Sequence, residues 1–329
     1  MKCSRILIGL FLLQVLLISC TTNLSTPTIK DYAWVPYTSD LDGYVTCTYF
    51  INDKVGFSAG STSIYKTVDG GIHWKVVNTN ERTINSIYFV NENLGFAVGG
   101  GGTEFKNAGS LIYKTIDAGA TWVKIPLVIT KGSDLQTVFF SNENIGFAVG
   151  LGLYIKTIDG GKTWTNLEFE SNFQGILRKI SFKDLQTGFA GGTDGSIYKT
   201  TDQGVKWTKV QNGTGGQVYD FCFVNSTGYA ARMGKIIKST DNGDTWSELS
   251  DSPENVTAIY FKDEKIGVAI GNGHFVVNRW TKALFYTKDG GATWKMDDTF
   301  DFSTIFHFPT STLGFSIGTK STVKIQLAK

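Results

Sequence analysis

One phrase recurs along the chain and sets what the chain can fold into. Gly-Phe-Ala-x-Gly, or a close variant, is followed after a short gap by Ile-Tyr-Lys-Thr and then by Asp-x-Gly-x-x-Trp. The second half occurs six times, ending at Trp74, Trp122, Trp164, Trp207, Trp246 and Trp294, with spacings of 48, 42, 43, 39 and 48 residues. The first half occurs seven times, starting at Gly56, Gly95, Gly146, Gly188, Gly228, Gly267 and Gly314. Within each unit, short apolar runs bounded by turn residues read as four strands. In the second unit these are Ile84 to Val90, Gly95 to Gly99, Leu111 to Thr115 and Trp122 to Ile125. A period of about 40–50 residues made of short strands is the signature of a propeller blade. The expected fold is therefore all-β: a seven-bladed β-propeller of four-stranded antiparallel blades, spanning residues 31–329.

The two ends of the chain reconcile six with seven. The last unit offers strands at Thr304 to Phe308, Gly314 to Gly318 and Thr322 to Gln326, and then the sequence stops. At the other end, Trp34-Val35 resembles the opening of a fourth strand such as Trp74 to Val77. The N-terminal strand is expected to complete the last blade, which removes two open sheet edges. Pro36 is tolerable there because the fourth strand is an outer edge.

Before that strand lies a segment that reads as an address. Lys2 and Arg5 precede an apolar run from Ile6 to Ile18, too short for a comfortable membrane span, which ends in Leu17-Ile18-Ser19-Cys20. This resembles a bacterial lipoprotein signal over residues 1–19, with Cys20 the lipidated residue and 20–30 a polar tether. The resemblance implies a cell-envelope location, with the membrane contacted through the lipid on Cys20. Losing residues 1–19 would remove two cations and no anions, leaving 29 Lys and Arg against 29 Asp and Glu. A neutral body has no large basic field, which excludes nucleic acid as a partner. Cys47 and Cys222 fall in strand-like runs of distant repeats and read as two buried free thiols.

The motif Ser/Thr-x-Asp-x-Gly-x-x-Trp resembles the Asp box of bacterial-neuraminidase-repeat proteins. Its six copies pair Asp69 with Trp74, Asp117 with Trp122, Asp159 with Trp164, Asp202 with Trp207, Asp241 with Trp246 and Asp289 with Trp294. The carboxylate can accept backbone N–H bonds within the turn, the glycine permits positive φ, and the indole can pack beneath the turn. One carboxylate per blade around a rim cannot converge on one reacting atom, so the boxes read as structural.

No catalytic constellation stands out. His73, His274 and His307 lack metal-ligand spacing, and no Gly-x-Ser-x-Gly elbow or Walker loop is present. The Arg-Ile-Pro segment of sialidases is missing, and the regular repeats leave little inserted sequence for a catalytic apparatus. The chain reads as a non-enzyme that needs no cofactor and no metal.

The full repeat, from Trp34 to about Gln326, resembles the photosystem II stability/assembly factor family. The resemblance implies a seven-bladed, non-enzymatic scaffold that binds another protein, and it implies an arginine-bearing surface patch. The body has four arginines, Arg82, Arg178, Arg232 and Arg279. Strand order puts all four on the face opposite the Asp boxes, and Trp280 beside Arg279 is explained neither by a box nor by a fourth strand. These five residues are the candidate protein-binding site, since Arg and Trp dominate interface hot spots. The long segments Gly100 to Ser110 and Asn272 to Leu284 read as loops on the same face. Lysines recur before the boxes, at Lys66, Lys114, Lys156, Lys199 and Lys238, and read as a solvating rim. A carbohydrate-active propeller, either a lectin or a diverged sialidase-like glycosidase, is an alternative, and a true photosystem II assembly factor is a narrower one.

Overall fold

Each repeat folds into one sheet because its four apolar runs differ in how much they can bury. In blade one these are Val45–Phe50, Gly56–Gly60, Ser63–Thr67 and Lys75–Thr79, paired antiparallel in that order. The second strand, Gly-Phe-Ser-Ala-Gly, is wholly buried. Its small residues let flanking blades approach while the phenylalanine fills the gap between them. The fourth strand is the most exposed of the four, as suits an outer edge. The computed structural model describes residues 32–327 apart from 62, 102–108, 128–133, 168, 170–174, 214–215, 277–278, 298–304 and 319. The side chains of Tyr32, Val276, Arg279 and Trp280 are likewise outside the description. So are the segment 1–19, Cys20 and the tether.

Seven such four-stranded sheets form the ring, and no helix occurs among the described residues. Closure follows the expected route. Tyr32–Thr38 pairs antiparallel with Ser321–Leu327 and forms the outer strand of blade seven, with Pro36 on that edge. Trp34 is buried there, in a cluster with Ile325 and Leu327.

One expected loop is not a loop. Most of Asn272 to Leu284 belongs to a long hairpin, Gly267–Val276 with Arg279–Thr287. A register shift between Asn272 and Phe275 breaks the two-residue alternation, and Thr281 Oγ1 bonds both the N–H and the C=O of His274 across the gap.

The blades are clamped to one another by an aromatic unit. Phe96 of blade two stacks on Phe140 of blade three at 4.1 Å, and Trp164 of the blade-three Asp box meets both rings edge-on at 6.3 and 5.9 Å. Phe57 with Phe89 and Phe189 with Phe223 repeat the stack at 4.5 and 4.3 Å. The glycine of the box fits over the ring of the preceding blade. At Gly161, with φ of 76°, an added Cβ would lie 2.4 Å from Phe96 Cε1.

Candidate binding face and channel mouth

The Asp boxes are self-contained turns. In blade two the Thr115 hydroxyl donates to Asp117 at 2.8 Å, and the Gly119 N–H donates to Thr115 Oγ1 at 2.9 Å. The Thr121 N–H and hydroxyl both donate to the Asp117 carboxylate, at 2.9 and 2.6 Å. These bonds, the Thr121 hydroxyl foremost, hold Asp117 down at about 2. The same set recurs at Asp159 and Asp289. At Asp69 the Ile72 and His73 N–H groups and the His73 ring fill the role, at Asp202 backbone N–H groups do, and at Asp241 the Thr245 hydroxyl and N–H hold the carboxyl well below its usual range. The indoles of Trp74, Trp246 and Trp294 donate to the carbonyl of their own box glycine at 3.0 to 3.1 Å. No group of His, Cys, Asp and Glu among the described residues could hold a metal.

The lysines before the boxes do more than solvate a rim. Lys66 donates to Ala118 O, Lys114 to Gly160 O, Lys156 to Gln203 O and Lys238 to Gly290 O, at 2.7 to 2.9 Å, each reaching the next blade's box. Lys199 instead reaches Asp244 of the next box at 2.7 Å. Each ammonium also lies 5.2 to 5.9 Å from the centre of an aromatic ring of its own blade. Their partners sit a whole repeat away, so no local pattern could have disclosed them.

The first strands of all seven blades line a central channel of about 680 Å³. One end carries an aromatic collar that includes Tyr49, Tyr88, Phe139 and His307. Several collar side chains clasp the following blade. Tyr49 donates to Phe89 O and Tyr88 to Phe140 O, both at 3.0 Å, and the Phe50 N–H donates to His307 Nδ1 at 3.1 Å. Burial pushes His307 down to about 3, with Lys179 adding to the effect. Cys222 occupies the same register, accepting the Phe261 N–H at 3.1 Å. Both Cys47 and Cys222 are buried free thiols, and burial pushes each up to about 12.

The other end, on the face opposite the boxes, is polar. Arg178 lies second in the strand Leu177–Phe182 and donates to Gln136 Oε1 at 2.6 Å and Gln217 Oε1 at 3.2 Å. Gln136 donates in turn to Asp134 at 2.6 Å, and Asn85 donates to the same carboxylate at 2.8 Å. Burial outweighs these bonds and Arg178's charge, so the Asp134 pKa is raised. Deeper in, Lys179 pairs with Asp220 at 2.8 Å.

The four arginines thus meet different fates at one end of the ring. Arg178 is held at the channel mouth by neutral carbonyls, and Arg82 donates to Gly109 O at 2.5 Å. Arg232 is a correction to the expected patch. It is only 4% exposed, with its guanidinium paired to Glu248 on the outer strand of its own blade. It fills a second-strand end where most blades have glycine, and it cannot offer itself to a partner without unpacking. Arg279 and Trp280 lie near the tip of the blade-six hairpin, paired with Val276 and Phe275, and their side chains are outside the described residues. Sequence reasoning missed Asn85, Asp134, Gln136 and Gln217. The signal available was their place at the start of each first strand, where a bulge turns a side chain toward the mouth.

Comparison with known proteins follows the repeat. The family model described as photosynthesis system II assembly factor YCF48 matches residues 106–232, and that of the BNR/Asp-box repeat matches 285–296. No curated protein matches the chain significantly. Among solved structures, YCF48 bound to D1 peptide superposes with a TM-score of 0.68 at 20% identity, covering 90% of this chain and 97% of that one. YCF48 from Cyanidioschyzon merolae gives 0.68 at 17%, covering 89% and 98%. A GH74 xyloglucanase from Xanthomonas campestris gives 0.68 at 12%, covering 88% of this chain but 52% of that one. In its repeats and its fold, the chain is a seven-bladed Asp-box propeller like the photosystem II assembly factors.

Proposed function

We propose that the chain is a non-enzymatic scaffold that binds another protein on the face around the channel mouth. We further propose that it is exported and lipid-anchored through Cys20. The observation that carries the binding site is the fixed guanidinium of Arg178. Two glutamine carbonyls hold its direction without neutralising it, so the charge is pre-aimed at an incoming carboxylate or carbonyl group. Arg82 shares the face, and Arg279 and Trp280 extend it along the hairpin. The solved relative with a bound D1 peptide supports a protein ligand for such a propeller.

The channel carboxylates favour binding over catalysis. Asp134 is engaged by Asn85 and Gln136, while Asp220 is engaged by Lys179 and the Ile259 N–H. A glycosidase needs two carboxylates free to act on one bond. The test is crosslinking from native membranes with Arg82→Glu, Arg178→Glu and Arg279→Glu combined. Loss of the captured partner with an unchanged fold is expected, and unchanged capture refutes the site. The second reading, a carbohydrate-active propeller, is favoured by the xyloglucanase likeness. Binding on a glycan array or turnover of fluorogenic glycosides would establish it in place of the scaffold.

A further inference from the structure

We propose that the Asp-box face of blades one to four lies flat on a lipid bilayer and points the channel mouth away from it. The proposal rests on the anchored reading above. Among the described residues, five large apolar side chains are at least 66% exposed, and four of them sit on Asp-box turns: Val68, Ile116, Ile158 and Val205, at 66, 73, 72 and 71%. Three occupy the same place, between the box hydroxyl and its aspartate, in blades one, two and three. Blades four and five put Thr201 and Thr240 there, and blade six puts Lys288. The apolar character therefore covers one arc of the rim. The box carboxylates and carbonyls are engaged by backbone N–H groups, box hydroxyls and the preceding lysine. What the turns offer outward is these aliphatic side chains, with His73, Lys162 and Lys206 exposed between them.

The entry point of the chain says what covers this arc. The outer strand of blade seven begins at Tyr32, opposite Leu327, and the Leu327 N–H bonds Thr312 O in the first turn of that blade. First turns and Asp boxes share a face, as the bond from the Gly70 N–H to Lys54 O shows in blade one. The far end of the same strand touches blade one, where the Tyr37 hydroxyl donates to Gly70 O. A lipid on Cys20 would thus draw this face toward the bilayer, beside the apolar arc. Fully extended, the dozen residues from Cys20 to Tyr32 reach about 40 Å at most.

Four aliphatic side chains are too few to hold the body unaided, but a short tether makes the contact intramolecular. The first turns of the same arc carry Asp53, Glu92, Glu143 and Asp184 against Lys54 and Lys183, and the boxes add Lys162 and Lys206. These charges balance, so the face suits a zwitterionic surface and gains little from an anionic one.

The test uses the full lipidated chain on phosphatidylcholine vesicles, with a fluorescent label at Ile116→Cys or, on the opposite face, at Tyr44→Cys. Protection of the position-116 label from an aqueous quencher is expected to rise about fivefold on vesicles, with the position-44 label unchanged. Val68→Asp and Ile158→Asp together should abolish that protection while the protein still floats with the vesicles. Flotation with position 116 as accessible as in solution overturns the orientation and leaves the anchor standing. Failure to float overturns the anchor and this proposal with it.

Discussion

The seam between blades two and three and the seam between blades six and seven use the same strands and different glue. In the first, Phe96 stacks on Phe140, Lys114 bonds Gly160 O, and Trp164 closes over both rings. In the second, the phenylalanine position is Val268 and the lysine position is Tyr286. Among the described residues blade seven shows no Asp box, and its fourth strand is Tyr32–Thr38. Phenylalanine and lysine thus disappear together where the next blade has no box to receive them. The residues before a box therefore serve the following blade's box rather than their own. The seam from blade seven back to blade one fits this, since Tyr37 and Thr322 bond Gly70 and Gly71 in the box of the following blade.

The largest break in this contrast should come from Gly161→Val. It forces a β-branched side chain into a left-handed turn and against Phe96, and should cost about 4 kcal/mol in urea unfolding. A cost under 1 kcal/mol would deny the box its clamping role. Val268→Phe, which imports the ring without its box, should cost about 2 kcal/mol through overpacking. A gain would mean that seam six–seven is merely underfilled.

The closing seam should respond to acid. His307 titrates near 3 in the native protein and near 6.5 when unfolded, so the unfolded chain takes the proton first. Stability present above about pH 6.5 is therefore lost as pH falls toward 3, by up to about 2 kcal/mol between pH 6.5 and pH 5. His307→Gln should flatten that slope in urea midpoints measured against pH. An unaltered slope would assign it elsewhere.

Lys114→Met should cost about 1 kcal/mol by leaving Gly160 O without its donor. Lys162→Met, exposed on the same face, should change stability by less than about 0.5 kcal/mol. Equal effects from the two would return Lys114 to a solvating role.

Much of this was legible in the sequence for a local reason. Strand, turn and Asp box are each set within a few residues, so the repeat spelled out seven blades, the box geometry and the closing strand. The seams were not legible, because Lys114 and its acceptor are 46 residues apart and neither is unusual alone. Arg232 was misplaced for a related reason. A second-strand end looked open on the glycines of other blades, while Glu248 on the outer strand of the same sheet was already positioned to draw it in. The blade-six hairpin hid behind its own bulge, which scrambles the alternation by which a strand is read.

The closing strand has one more consequence, and it concerns time. Its partner, Ser321–Leu327, follows the other described strands in chain order and so is made after them. Until then Tyr32–Thr38 has no strand to pair with, and the Trp34 indole has no pocket. The ring cannot shut around an unfinished chain, so a polypeptide broken off early carries a bare edge and an exposed indole that mark it as incomplete.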